Sequence, residues 1–568
     1  MPKKAPRRLW RSGIRCGKAS REQIALAGGL ILLVAACGTE PQEVPADSAA
    51  GPPTVVTVDG ETLQGEISEV SSPVATFKGL PYAAPPVGER RWRPPAPISP
   101  RDGVQTATEY GPACIQRPDD TPAWYRYIAE TLGQDPALVP DLEPISEDCL
   151  HVNVWTANLG GEEPWPVMVW IHGGANTSGS PAEVGYDGTN LARKGVVVVS
   201  FNYRLNVFGF FAHPALTAES EHDASGNYAL LDQIAALQWI QRNIAAFGGD
   251  PDQVTIFGES AGATNVAYLM SSPLAQGLFH RAIMQSGGYA VSEFRTLADV
   301  EAIGNELAAT LGVAESEDAL AALRALSAED LHRMALETNT DGLNIPNVDG
   351  WVLEEAPGRV FEMGHQAPVP LLIGYNADEW TTLGHYSPDV SLAGLRQALR
   401  NTYGELAEQA IELYSAETDD QAAAMTDRWQ TDWWFACPSR FIADRMERAS
   451  AQTFFYVFTR SLPGPEGEQL GASHGAENPY VFDNLELETW VPHEDYDRRL
   501  ATEISDYWGR FAATGDPNGG ESPLWPSYNA KSRAYLELGN QVLAGTGIRP
   551  DHCALYDEVL NSLVSRDG

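Results

Sequence analysis

Short apolar runs rich in Val, Ile and Phe recur along the chain at residues 152–155, 167–171, 196–201, 282–285, 369–375 and 454–458, with another beginning at Val254. Continuous runs of this length suit strands covered on both faces, where alternation with polar residues has no use. Between them Leu230, Ile234, Leu237 and Ile244 recur at helical spacing, and Gly248-Gly249 stops that helix. Strands alternating with helices predict a mostly parallel or mixed α/β sheet covered by helices on both faces. Residues 77–86 are too proline-rich for a helix and read as an extended, turn-bounded surface segment. Between Cys114 and Cys149 lies a loop carrying Trp124, Tyr125 and Tyr127. It reads either as packed loop core or as one aromatic wall of a gorge. No internal repeat and no second change of composition interrupts residues 55–568, so one large domain is expected there.

The first 36 residues break this pattern. Lys3, Lys4, Arg7, Arg8, Arg11, Arg15, Lys18 and Arg21 precede an apolar run over residues 24–36. That run is too short to hold a bilayer as a stable span and reads as the core of an export signal. Val34-Ala35-Ala36-Cys37 resembles the bacterial lipobox, in which the signal is cut before the cysteine and the thiol is lipidated. Residues 37–54, rich in Pro, Ala and acid, then fit a flexible tether. The expectation is an exported protein of the bacterial cell envelope, at the outer membrane or facing the periplasm, attached to membrane only through that lipid. An ordinary secretory signal is the alternative.

Composition narrows the function. With 43% hydrophobic residues and 15 Trp among 568, the chain can bury a substantial core. Against 38 Lys+Arg stand 76 Asp+Glu, a net charge of −38, which argues against nucleic acid as a partner because phosphate binding needs a positive footprint. Export would leave Cys114, Cys149, Cys437 and Cys553 in an oxidising compartment, enough for two disulfides in three possible connectivities. Cys114 with Cys149 would close a local loop, and Cys437 with Cys553 would tie the C-terminus to the body. No C-x-x-C or His/Cys cluster suggests a metal, and no organic cofactor is implied.

Candidate chemistry begins at Val254-Thr255-Ile256-Phe257-Gly258-Glu259-Ser260-Ala261-Gly262, an apolar strand running into G-x-S-x-G and then into small residues that can open a helix. So short a strand-to-helix turn strains its central residue, and glycines on either side remove the Cβ atoms that would collide. Ser260 Oγ would stand clear of the sheet edge, able to attack a carbonyl, with the following N–H groups facing the new oxyanion. Trp170-Ile171-His172-Gly173-Gly174-Ala175 also follows a buried strand, as the H-G-G-G type of loop does, and offers further backbone donors.

Further segments carry a resemblance over nearly the whole of residues 55–556. They are Phe77-Lys78-Gly79-Leu80-Pro81-Tyr82-Ala83, Ser146-Glu147-Asp148-Cys149-Leu150, Asn202-Tyr203-Arg204, Phe247-Gly248-Gly249-Asp250-Pro251, Gln285-Ser286-Gly287-Gly288 and a His-Gly-x-Glu segment at His474. Together with Phe257-Gly258-Glu259-Ser260-Ala261-Gly262 they resemble type-B carboxylesterases of the cholinesterase-like α/β-hydrolase family. The resemblance implies the α/β-hydrolase fold with loop insertions forming a gorge. It also implies a serine esterase acting on small-molecule esters through an acyl-enzyme on Ser260.

Its acid maps to Glu379, with the adjacent Asp378 as the rival, and its base to His474. Its oxyanion hole maps to the N–H groups of Gly174, Ala175 and Ala261, and its disulfides pair Cys114 with Cys149 and Cys437 with Cys553. Glu259 and Ser286 match buried polar positions near the triad. Departures from the family are Ala175 for the third glycine, Asn176 for the usual aromatic, and Trp380, which would shrink or line the pocket. A choline-type cation-binding Trp maps to no residue, so choline specificity is not implied. The alternatives are a lipase, amidase or carbamate hydrolase on the same fold, or a non-catalytic cholinesterase-like binding protein.

Overall fold

A computed structural model describes residues 54–564 apart from 69–72, 143, 293, 315, 317, 339–341, 385–389 and 450. The export signal, Cys37 and the tether up to residue 53 lie outside the described residues.

The apolar runs assemble one large sheet. Its strands are β1 (Thr54–Val58), β2 (Glu61–Ile67), β3 (Ala75–Pro81), β4 (His151–Thr156), β5 (Trp165–Ile171), β6 (Val197–Phe201), β7 (Gly249–Glu259), β8 (Arg281–Gln285), β9 (Leu371–Asn376), β10 (Thr453–Phe458), β11 (Tyr535–Leu538) and β12 (Val542–Gly545). They lie in the order β1-β2-β3-β4-β6-β5-β7-β8-β9-β10-β11-β12, with a short strand Val104–Thr106 beside β2. From β6 to β11 every pairing is parallel, while β1 to β4 and β12 add antiparallel margins.

Why the central strands are continuously apolar is visible in their two faces. Val167, Val169 and Ile171 of β5 join a core that includes Leu230, Ile234 and Leu237 from the helix α2 (Tyr228–Asn243). Met168 and Trp170, on the opposite face, pack with Leu500, Ile504, Trp508 and Phe511 from the helix α4 (Asp495–Thr514). Successive residues of a strand point to opposite faces, so a sheet with helices on both sides needs apolar residues at every position. This is the mixed, mostly parallel sheet of an α/β-hydrolase fold.

Two expectations need correcting. Residues 75–81 are not a surface segment but strand β3, with Phe77 and Leu80 buried and a register shift between them. The prolines that suggested a surface turn begin only at the strand's last residue, where a missing N–H breaks no internal ladder. The aromatic segment between Cys114 and Cys149 is not a loop either, because residues 120–131 form the helix α1 (Asp120–Thr131). Asp120 suits the positive end of the helix dipole, and Pro122 sits in the first turn, where no intrahelical N–H bond is lost. Disulfides join Cys114 to Cys149 and Cys437 to Cys553.

Candidate active site

Open α/β sheets gather their functional groups beyond the carboxyl ends of the parallel strands, and three such ends meet here. Ser260 follows β7 and caps the helix α3 (Ala261–Ser271) with φ 56° and ψ −125°. A left-handed conformation at a non-glycine residue costs on the order of 1–3 kcal/mol and needs its surroundings to hold it. The hold is a close approach: a Cβ on Gly262 would lie 1.9 Å from the carbonyl oxygen of Ile171, and one on Gly258 2.6 Å from the same oxygen. Only glycines let β5, β7 and α3 converge this tightly. The Ser260 N–H donates to the Gln285 carbonyl at 2.8 Å, which ties the turn to β8 as well.

His474 stands in the loop after β10 with its ring between two partners. Its Nε2 lies 2.8 Å from Ser260 Oγ, and its Nδ1 lies 2.5 Å from Glu379 Oε2. Glu379 is fully buried three residues beyond the end of β9, and its second oxygen accepts from the Asn376 N–H at 2.8 Å. The rival Asp378 does something else. Its carboxylate accepts from the Ala472 N–H at 2.9 Å, and its own N–H donates to the Ala472 carbonyl at 3.0 Å, so it clasps the backbone of the histidine loop. Asn376 adds a second clasp, its amide donating to the Ser473 carbonyl at 2.8 Å and to Glu477 Oε2 at 2.5 Å.

A group of buried acids surrounds the imidazole. Glu259 Oε1 lies 3.2 Å from His474 Nε2, while Glu477 is buried behind it, within 3.4 Å of the Gln285 amide. Burial disfavours the imidazolium, but Glu259, Glu379 and Glu477 together outweigh it and lift the His474 pKa above its ordinary value. Burial pushes Glu259 up to about 8, with His474 pulling against it and Glu477 and Glu379 adding to it. Burial and Glu379 also raise Glu477, to about 7, so the charge on each of these buried acids depends on its neighbours. Phe435, in a one-turn π-helix over Asp432–Ala436, covers the ring with its centroid 5.0 Å away. The edge of Trp124 approaches the ring at 6.4 Å.

The loop after β5 turns through three successive left-handed residues, Gly174 (φ 94°), Ala175 (φ 54°) and Asn176 (φ 56°). Asn176 tolerates that conformation and anchors it, donating to the Asn344 carbonyl at 3.0 Å and accepting from the Asn265 amide at 2.9 Å. Asn344 returns a bond to the Ala175 carbonyl at 3.0 Å. His172 is held neutral, its pKa pushed down to about 4 by burial, and it stacks on Tyr203, whose hydroxyl donates to the His172 carbonyl at 2.8 Å. Among the described residues no acceptor takes the N–H of Gly174 or Ala175, and the Ala261 N–H is orphaned by its place in the first turn of α3.

A cavity of about 570 Å³ opens over these groups. Its lining includes Ser260, His474, Glu259 and the loop Gly173–Ala175, together with Trp124, Tyr125, Glu183, Tyr186, Glu488 and Trp490. Trp124 and Tyr125 thus form the aromatic wall, whereas Tyr127 is not among its lining residues. Nor is Trp380, which packs half-buried against the core while Leu383 reaches the cavity from the same short helix. Sequence reasoning missed Asn376, Gln285 and Glu477 as a network behind the triad, and it missed Glu183 and Glu488 altogether. Gln285 and Glu477 stand in segments that carried the resemblance, but no local pattern shows that they pair with each other and with Asn376, since each pairing spans a long stretch of chain.

The chain belongs to the carboxylesterase family, whose model matches residues 52–556. It is a carboxylic ester hydrolase of the type-B group. It is 37% identical over 497 residues to the fumonisin B1 esterase of Sphingopyxis macrogoltabida, covering 86% of this chain and 87% of that protein. It is 34% identical to carboxylesterase 1D of Rattus norvegicus, covering 90% and 94% of the two chains. Among solved structures it is similar to a PNB esterase, with a TM-score of 0.75, 34% identity, and 89% and 99% of the two chains covered.

Proposed function

We propose that Ser260 is the nucleophile, His474 the general base and acid, and Glu379 the carboxylate that orients the imidazole. The observation carrying this reading is the unbroken chain from Ser260 Oγ through both ring nitrogens of His474 to Glu379, at 2.8 and 2.5 Å. His474 takes the Ser260 proton as Oγ attacks the ester carbonyl, and returns it to the leaving alkoxide. Water activated by the same imidazole then hydrolyses the acyl-enzyme. The N–H groups of Gly174, Ala175 and Ala261 receive the oxyanion, each contributing about 3–4 kcal/mol to the barrier reduction on the scale of a single such donor. Because Glu379 Oε1 is held by the Asn376 N–H, its other oxygen is fixed toward Nδ1 and selects the tautomer whose Nε2 can accept.

A fluorophosphonate probe should label the folded protein at Ser260 and nowhere else, and Ser260→Ala should lose both labelling and turnover. Labelling at another serine, or turnover surviving in Ser260→Ala, would overturn the assignment.

The substrate is a small-molecule carboxylic ester. The likeness to a fumonisin B1 esterase supports testing bulky natural-product esters beside simple p-nitrophenyl esters. The basic and apolar N-terminus with Val34-Ala35-Ala36-Cys37 supports export, cleavage before Cys37 and lipid attachment there, with residues 37–54 as a spacer ahead of one catalytic domain. Intact-mass measurement of the membrane fraction from a bacterial host should find a diacylglycerol-bearing Cys37 as the first residue. Recovery of an unlipidated soluble form beginning elsewhere would replace the anchor with plain secretion.

A further inference from the structure

The cavity that holds the triad is also lined by a carboxyl group that has no partner among the described residues. Glu488 is 8% exposed, and among the described residues no hydrogen bond or ion pair reaches its side chain. It packs against the turn that carries Glu183 and Tyr186, its Oε1 lying 3.1 Å from where a Cβ on Gly185 would be. The Asn484 amide locks the two segments together, donating to the carbonyls of Gly185 at 3.1 Å and Asp187 at 2.7 Å. Glu183 beside it accepts from Tyr125 Oη at 2.8 Å and from the Ser180 N–H at 3.0 Å. Trp490 meets Tyr125 at a ring-centroid distance of 5.8 Å, and Tyr186 closes the enclosure.

A carboxyl that faces an enclosed cavity without a protein donor can take its partner from a ligand. None of the described lining residues donates to it, although Trp490 Nε1 and the ring nitrogens of His493 are themselves without partners. Arg460 is the only Lys or Arg among its described lining residues, and both its Nε and Nη2 are taken by Asp497, at 2.7 and 3.2 Å. Aromatic faces beside carboxyls form a favourable enclosure for an organic cation, and the net charge of −38 would draw cations toward it.

We infer that Glu488, flanked by Glu183 and ringed by Tyr125, Tyr186 and Trp490, receives an ammonium group carried by the ester substrate. The inference rests on the reading of Ser260 as the reacting centre, since both walls belong to one cavity. Burial and the neighbouring Glu183 push Glu488 up to about 8, which favours its protonated form at neutral pH. An arriving ammonium favours the carboxylate, and that proton leaves to solvent. This enclosure is built from Tyr125 of α1, the turn over residues 183–186 and the 484–493 segment.

The test is competitive inhibition of p-nitrophenyl butyrate hydrolysis by n-alkylammonium ions from pentyl to octyl, each beside the n-alkanol and n-alkanoate of equal length. Wild-type enzyme should bind at least one ammonium ion tenfold or more tightly than its matched alkanol. Glu488→Gln should cut that ratio at least tenfold, and Glu488→Asp, which keeps the charge, should retain part of it. Equal inhibition by ammonium and alkanol, preference for the alkanoate, or a ratio unmoved in Glu488→Gln overturns the site. Should Glu488→Gln fail to fold, the wild-type series and Glu488→Asp decide. If Ser260→Ala is inactive and the ratio is one, only the cation site falls; if Ser260→Ala still turns over, the reading beneath it falls.

Discussion

The two walls of the cavity are built on opposite principles. Around His474, most donors meet acceptors: both ring nitrogens are engaged, Glu379 has a backbone donor on its free oxygen, and Asp378 and Asn376 fasten the loop behind, while Glu259 Oε1 faces the imidazole at 3.2 Å without a hydrogen bond. Elsewhere in the same cavity, Glu488 is buried without a donor among the described residues, beside a Glu183 held by Tyr125. The first wall is complete before substrate arrives, as electrostatic preorganisation requires. The second is completed by the substrate. Reactivity and selectivity are thus carried by different elements, the strand ends of the sheet on one side and α1 with the 484–493 segment on the other.

The contrast can be broken most severely at its centre. Ser260→Ala should lower kcat about 10⁴-fold or more while leaving KM for a p-nitrophenyl ester within a few-fold, because the triad acts as a unit. Glu379→Gln keeps the shape but lets the wrong imidazole tautomer form, and a loss of roughly 10³–10⁴ in kcat is expected. A loss under tenfold would shift the acid's role to another carboxylate.

Ala175 probes the margin between the walls. It holds φ 54° in the oxyanion loop, at the position where the family resemblance implies a glycine. Ala175→Gly should relieve strain and raise turnover of tertiary-alcohol esters by about tenfold, on the scale of one methyl-sized clash. No gain on such esters, with primary esters unchanged, would mean that the Cβ does not limit the site.

Glu259 offers the finest adjustment. The base form of His474 must be neutral to accept the serine proton, and neighbouring carboxylates raise its pKa, so they delay that form to higher pH. Glu259→Gln removes the first of these, and the acid limb of the kcat/KM profile should move to lower pH by about one unit or less. A shift upward, or none, would assign the perturbation to Glu379 and Glu477 alone.

Much of this arrangement was legible in the residues. Runs such as 167–171 and 454–458 announced strands covered on both faces because every position in them is apolar. G-E-S-A-G pointed to its turn because its glycines stand between an apolar strand and a run of small residues that can open a helix. Segment 75–81 was misread because the prolines following it dominate the local signal, whereas pairing with β4 decides its fate. Helix α1 was misread for a similar reason: its aromatics suggested a lining before its acidic first turn was weighed. Glu488 and Asn376 were beyond reach, since burial and partnership arise only when segments distant in the chain pack together.

One contact described above reaches beyond catalysis. The Ile171 carbonyl nests against both glycines flanking Ser260, so the strand end that launches the oxyanion loop and the turn that presents the nucleophile are wedged into a single block. Neither can be retuned by substitution without dislodging the other. Divergence toward new esters is thereby channelled away from the reacting atoms and onto the wall around Glu488, whose helix and loop can change while the block stays as it is.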